Sequence, residues 1–171
     1  MSTDFCLKTI HEFYPELDHY EFFDFVVKTA RELIKNEIKI MDGVENILEF
    51  FKSEGVKMAV ASSSPTEIVE SNLTRTNLRK YFDEITGGNE IENGKPEPDI
   101  FIKAAEKLNL PANNCYVFED SYNGIRGAAK AGCIAVMIPD TAKPTDEMKK
   151  LCAGIYKNLN FALEAIKSGK I

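Results

Sequence analysis

Short apolar runs at Val56 to Ala61, Cys115 to Phe118 and Ile134 to Ile138 are separated by stretches whose apolar residues recur at helical spacing. Alternation of this kind is satisfied by a parallel sheet covered by helices, because parallel strands need a crossover between them. The segments between the runs read as helices. Val44, Ile47, Leu48 and Phe51 form one apolar face that Gly55 ends. Ile68, Val69 and Leu73 form a second, with Pro65 at its first position, and a short strand near Glu84 to Thr86 follows. Ile100, Phe101, Ala104, Ala105 and Leu108 form a third face in a helix that starts at Pro98. A fourth helix, Ser121 to Ala131, follows the Cys115 strand, with Ser121 as its N-cap and Gly132 just past its end. Leu159 to Lys167 reads as the last helix.

The first part of the chain has no such alternation. From Thr3 to Asn36 the pattern is helical, with Cys6, Ile10 and Phe13 on one face, a break at Pro15, and a new start at Asp18 and Glu21 that resembles a capping box. Phe22, Val26, Ala30 and Leu33 continue the apolar stripe. Two helices bury too little by themselves, so this pair is expected to belong to a helical subdomain. The change in character places residues 1–38 in a helical subdomain and 39–171 in an α/β core.

Composition narrows the functional classes. At 171 residues and 44% hydrophobic content, the chain can build one real core with a small appendage. Its net charge is −6, and its Lys and Arg residues form no run, which argues against a nucleic-acid or anionic-membrane surface. Cys6, Cys115, Cys133 and Cys152 show no paired spacing and read as reduced residues, the latter three in the core of a cytoplasmic protein. There is no apolar run of membrane-spanning length and no signal-peptide pattern.

Three segments carry chemistry. Glu119 and Asp120 sit where an apolar strand meets a helix start, the junction at which open α/β sheets place ligands. Two adjacent carboxylates at a half-buried strand end either cap the helix and complement its dipole, or hold a hard cation such as Mg²⁺. Ser62, Ser63 and Ser64 close the Val56 to Ala61 strand ahead of Pro65, and read either as an ordinary cap or as an anion cradle of hydroxyls and amides. Lys95 lies in Gly94-Lys95-Pro96-Glu97-Pro98-Asp99, where two prolines stiffen the loop; it is either a solvated turn residue or an ammonium aimed at a phosphate and nearby carboxylates.

Taken together, serine at a strand end, Lys-Pro in a loop and Glu-Asp at a later strand end resemble the haloacid dehalogenase superfamily of phosphotransferases. Gly94 to Phe101 and Phe118 to Ile125 most resemble its beta-phosphoglucomutase-like branch. The resemblance implies a Rossmann-like parallel sheet, with residues 3–36 forming part of a helical cap over the site. It implies that Ser62 binds the transferred phosphoryl group, that Lys95 steadies phosphate and nucleophile, and that Glu119 and Asp120 hold Mg²⁺.

One element of the pattern is missing. The family's first motif, Asp-x-Asp at the end of a central strand, supplies the nucleophile and the general acid/base, and this chain contains no Asp-x-Asp. By family analogy, roughly fifty residues that carry this first core strand and the first half of the cap are absent. The chain is therefore expected to be inactive alone, and its sheet is expected to lack its first core strand. An incomplete record, a separately supplied piece and two half-sheets that close up would each answer that gap. For the parent protein the resemblance implies a Mg²⁺-dependent phosphatase of a small phosphorylated metabolite such as a sugar phosphate. A phosphomutase and a non-catalytic phosphosugar-binding module are the alternatives. The expected partner is that metabolite, with neither nucleic acid nor membrane, and the chain is expected to be a monomer or to associate through its sheet edges.

Overall fold

A computed structural model of the chain describes residues 3–36 and 38–171, apart from the side chains of 3–5, 31 and 33–36. It divides into two compact units, Met1–Lys39 and Ile40–Ile171.

The first unit is a helical pair, α1 (Thr3–Phe13) packed on α2 (His19–Asn36). The Asp18 carboxylate caps α2 by accepting from the amides of Tyr20 and Glu21, both at 3.0 Å. The stripe expected on this helix turns outward at Phe22, Val26 and Ala30, and Phe23 and Val27, one position on, are the half-buried residues. One partner helix covers one seam, and α2 is apolar over a wider arc than that seam. Phe13, Tyr20 and Phe25 are also exposed. The expectation for Leu33 lies outside the described side chains.

The second unit runs α3 (Val44–Ser53), β1 (Ala59–Ala61), α4 (Thr66–Arg75), β2 (Glu84–Thr86), α5 (Asp99–Lys107), β3 (Tyr116–Glu119), α6 (Tyr122–Lys130), β4 (Ile134–Met137), α7 (Asp146–Leu151), β5 (Gly154–Ile155) and α8 (Leu159–Lys167). All strand pairs are parallel, as the alternation requires. Gly55 and Gly132 take left-handed φ values of 68° and 79° just past their helices, a conformation that disfavours a side chain.

The boundaries differ from the sequence expectation in physically explicable ways. β1 starts at Ala59 rather than Val56, because the Met58 amide donates to the Asp83 carboxylate at 2.8 Å instead of to a strand. β3 is shifted by one residue, so Glu119 is its last member. Pro65 and Pro98 precede their helices as caps rather than opening them. α7 and β5 were not anticipated, although Thr145, which caps α7 by accepting from the Met148 amide at 3.3 Å, is an N-terminal signal followed by Asp146 and Glu147. Cys115, Cys133 and Cys152 are free and half-buried at the margin of the core, not inside it.

Pairing leaves the sheet in two pieces, β1-β2 and β3-β4-β5. A cavity of about 430 Å³ lies between them, lined by the whole of β1 and β3 and by Ile47, Phe51, Phe101 and Leu108. The half-sheets have not closed on each other. One apolar cluster joins Ile100 and Phe101 of α5 to Ile125, Ala135 and Met137. A second joins Leu163 of α8 to Ile47, Leu48, Met58 and Tyr81, and a third joins Ala162 of α8 to Val136 and Ile138. Among the described residues, no helix is long and apolar enough to cross a membrane.

Thr86 is fully buried, and its hydroxyl has no hydrogen-bond partner among the described residues. Replacing it with valine, which is nearly the same shape, is expected to raise stability by about 1 kcal/mol in urea denaturation. A loss of stability would show that the hydroxyl is satisfied.

Candidate functional site

The site is built at the C-terminal ends of β1 and β3. β3 delivers Glu119, whose carboxylate turns back onto the start of α6. Its Oε2 accepts from the Asp120 amide at 2.9 Å and from the Ser121 amide and hydroxyl, both at 3.0 Å. Ser121 is the N-cap, as expected, and accepts from the Gly124 amide at 3.0 Å. The helix can approach the carboxylate this closely because residue 124 is glycine: a Cβ there would lie 2.0 Å from Glu119 Cδ.

Lys95 closes the site from the other side. Its loop is turned by the Glu97 amide donating to the Gly94 carbonyl at 3.0 Å, contains a cis Lys95–Pro96 bond, and is tied to α6 by Lys130 and Glu97 at 2.7 Å. The Lys95 ammonium sits 4.9 Å from the centre of the Phe101 ring, donates to Glu119 Oε1, and reaches the Ala61 carbonyl at 3.3 Å. One side chain thus joins the last residue of β1 to the last residue of β3. Both partners are largely buried, at 12% and 10% side-chain exposure, which takes this pair out of the weak surface class.

Electrostatics sort the two carboxyl groups. Burial acts to raise the Glu119 pKa, but the Lys95 charge and hydrogen bond, with the Ser121 donors, outweigh it and hold the group below its ordinary value. Asp120 moves the opposite way, pushed up by loss of solvent and by the Glu119 hydrogen bond and charge. Asp120 still reaches solvent.

Ser62 follows directly from the Ala61 carbonyl that Lys95 touches. Its amide donates to the Thr86 carbonyl at 3.0 Å, and its hydroxyl oxygen accepts from the Ser64 amide at 3.2 Å. Two of the three serine amides are therefore engaged within the fold, which makes the anion cradle narrower than the sequence suggested. Ser63 and Ser64 are exposed. Tyr122 and Asn123, which follow the acidic pair, bond to the Lys143 carbonyl at 2.5 Å and to Arg126 at 3.1 Å. Sequence reasoning missed Phe101 beneath the ammonium, since its helical spacing marks it only as core, and the contact role of Gly124.

A parallel α/β unit with a lysine-bridged acidic site at its strand ends belongs to the class of open α/β folds, whose ligands bind at the carboxyl edge of the sheet. A family model described as haloacid dehalogenase-like hydrolase matches residues 6–138, and the chain belongs to this family, within its beta-phosphoglucomutase-like branch. It is 38% identical over 107 residues to a phosphorylated carbohydrates phosphatase of Thermotoga maritima, covering 63% of this chain and 50% of that one. It is 28% identical over 114 residues to hexitol phosphatase B of Escherichia coli, covering 67% and 51%. A crystal structure from Thermotoga maritima assigned as a beta-phosphoglucomutase superposes with a TM-score of 0.77 at 28% identity, covering 96% of this chain and 79% of that one. The chain spans about half the length of these two curated relatives.

Proposed function

We propose that this chain forms the phosphate- and Mg²⁺-binding wall of a phosphatase acting on small phosphorylated carbohydrates. The observation that carries this reading is the Lys95 ammonium, which spans the Ala61 carbonyl and the Glu119 carboxylate beside Ser62. A phosphoryl group placed there meets a fixed cation and a hydroxyl donor, the positioning and charge stabilisation on which phosphoryl transfer depends. The names of the carbohydrate phosphatase and hexitol phosphatase relatives support the substrate class.

The attacking carboxylate is not among these residues. Among the described residues no base is hydrogen-bonded to the Ser62 hydroxyl, and Lys95 is committed to binding, so neither serves as nucleophile. A strand bearing Asp-x-Asp, seated in the cavity between β1 and β3, would bring that carboxylate to Lys95. The cavity, and the absence among the described residues of a strand partner for β1 or β3 on that side, support this placement. The 171-residue chain is expected to release no inorganic phosphate from a panel of sugar phosphates. The same chain extended at its N-terminus by such a strand is expected to turn over and to lose that activity when Lys95 is replaced. Turnover by the 19.2 kDa chain alone would overturn the reading. The structural match to the beta-phosphoglucomutase favours a mutase as the second reading, and isomerisation of glucose 1-phosphate by the extended protein would select it.

Mg²⁺ would take Glu119 and Asp120 as ligands, but the fit in this chain is incomplete. Both Glu119 oxygens already accept from protein donors, and no group of three or more His, Cys, Asp or Glu side chains able to hold a metal occurs among the described residues. A calorimetric titration is expected to show binding on the order of 1 mM or weaker. Micromolar affinity would refute this.

A further inference from the structure

Glu90 lies on the short turn after β2, outside the four positions that define the site, yet more interactions converge on it than the turn itself requires. Its side chain is three-quarters buried, at 24% exposure. Oε1 accepts from the Thr66 hydroxyl at 2.8 Å and from the Gly87 amide at 3.0 Å. Oε2 accepts from Lys107 at 2.7 Å, and Lys107 also donates to the Ile85 carbonyl at 2.5 Å. The Glu90 carbonyl accepts from Lys103 at 2.7 Å. Next to it, Asn89 Oδ1 accepts from the Thr66 amide at 2.9 Å.

These bonds close on the serine loop. Pro65 provides no side-chain cap for α4, so the amide and hydroxyl of half-buried Thr66 are satisfied by Asn89 and Glu90 from another part of the chain. The Gly88 amide donates to the Ser64 carbonyl at 2.9 Å. The backbones meet so closely that a Cβ at Gly87 would lie 2.4 Å from the Thr66 amide nitrogen, and one at Gly88 2.3 Å from the Ser63 carbonyl oxygen. The loop that begins with Ser62 is thus clasped from one side by the turn 87–90, which α5 anchors through Lys103 and Lys107.

We infer that Glu90 is a positioning residue: through Thr66 and Lys107 it fixes the Ser62–Pro65 loop in the conformation that receives a phosphoryl group. The inference rests on the proposed role of that loop. Lys107 first, and then the Gly87 amide, hold the Glu90 carboxyl down to about 2, so its charge persists wherever the protein is folded near neutrality. Glu90 itself need not touch the ligand.

Two variants test this in the 171-residue chain: Glu90→Ala, which removes the node, and Thr66→Val, which keeps the Glu90–Lys107 pair and the packing but removes the bond to the loop. Without ligand, both are expected to speed hydrogen exchange at the Thr66 and Gly88 amides by about tenfold, with the α8 amides unchanged. Titration with inorganic phosphate, followed through the amide resonances of Ser62 to Ser64, is expected to show affinity lowered by about tenfold in both variants. Glu49→Gln, which weakens the bond to Tyr81 away from the loop, is the destabilised control and is expected to keep wild-type affinity. Unchanged exchange at Thr66 and Gly88 overturns the inference, as does an equal loss of phosphate affinity in the control. Absence of any phosphate response in the unaltered chain overturns the proposed role of the loop instead, and the exchange rates then decide whether Glu90 fixes it.

Discussion

Replacing Lys95 with methionine is expected to cost about 3 to 5 kcal/mol of folding stability, because it leaves the Glu119 carboxylate buried without its cation. For a domain whose whole stability is about 5 to 15 kcal/mol, that is a large share. The sign of its pH dependence follows from the direction of the Glu119 shift. In the unaltered chain the folded pKa lies below the ordinary 4.5, so the stability Glu119 contributes is present above that value and is lost as pH falls through the folded one. In the variant, burial is no longer opposed by the ammonium and the carboxyl moves upward. The gap between the two proteins should therefore be widest near neutrality and narrow as the medium is acidified. Urea denaturation at about pH 7 and about pH 4 measures it, and an equal gap at both would show that the lysine acts through its packing on Phe101 instead. Adding Glu119→Gln to the methionine variant is expected to recover part of the loss.

Gly124→Ala is the second large effect, and its sign is diagnostic. In an ordinary helix interior this change gains up to about 1 kcal/mol from propensity. Here the new Cβ would fall 2.0 Å from Glu119 Cδ, so the carboxylate or the helix start must move. Overpacking and the loss of the Ser121 bonds to Glu119 are expected to cost about 2 to 4 kcal/mol. Thermal melts of the alanine variant decide it: a stabilised protein would mean that Glu119 leaves its seat without penalty.

Much of this architecture is legible in the residues themselves. The alternation from Val44 to Ile138 fixes the order of helices and strands there, though not α7 and β5 beyond it, and Ser121 as a cap and Leu159–Lys167 as the last helix agree with the structure because each rests on a local signal. Strand ends do not, since they depend on partners distant in sequence: the Met58 amide, just ahead of β1, goes to the Asp83 carboxylate, which no local pattern announces. Of the four positions singled out for chemistry, the direct contact of Lys95 with Glu119 follows from the shared strand edge, and adjacency of Ser62 follows from the Ala61 carbonyl. Glu90 was not legible, because its neighbours Thr66 and Lys107 lie 24 and 17 residues away and the segment around it carries no periodicity. The outward turn of Phe22 and Val26 shows the other limit, since periodicity gives the arc of an apolar face but not the part of it that a given partner covers.

The break in the sheet has a consequence for how the molecule opens. With no ladder between β1 and β3 among the described residues, cooperativity between the halves passes through α5, whose cluster takes in Ala61 of β1 and Val117 of β3, through α8, which supplies Leu163 to one cluster and Ala162 to another, and through the Lys95 bridge. A chain joined this way has two natural subglobal opening units. Trimming Ile100 or Leu163 should then separate their exchange behaviour before either unit unfolds, so side-chain packing, not backbone pairing, sets whether this protein melts as one body or two.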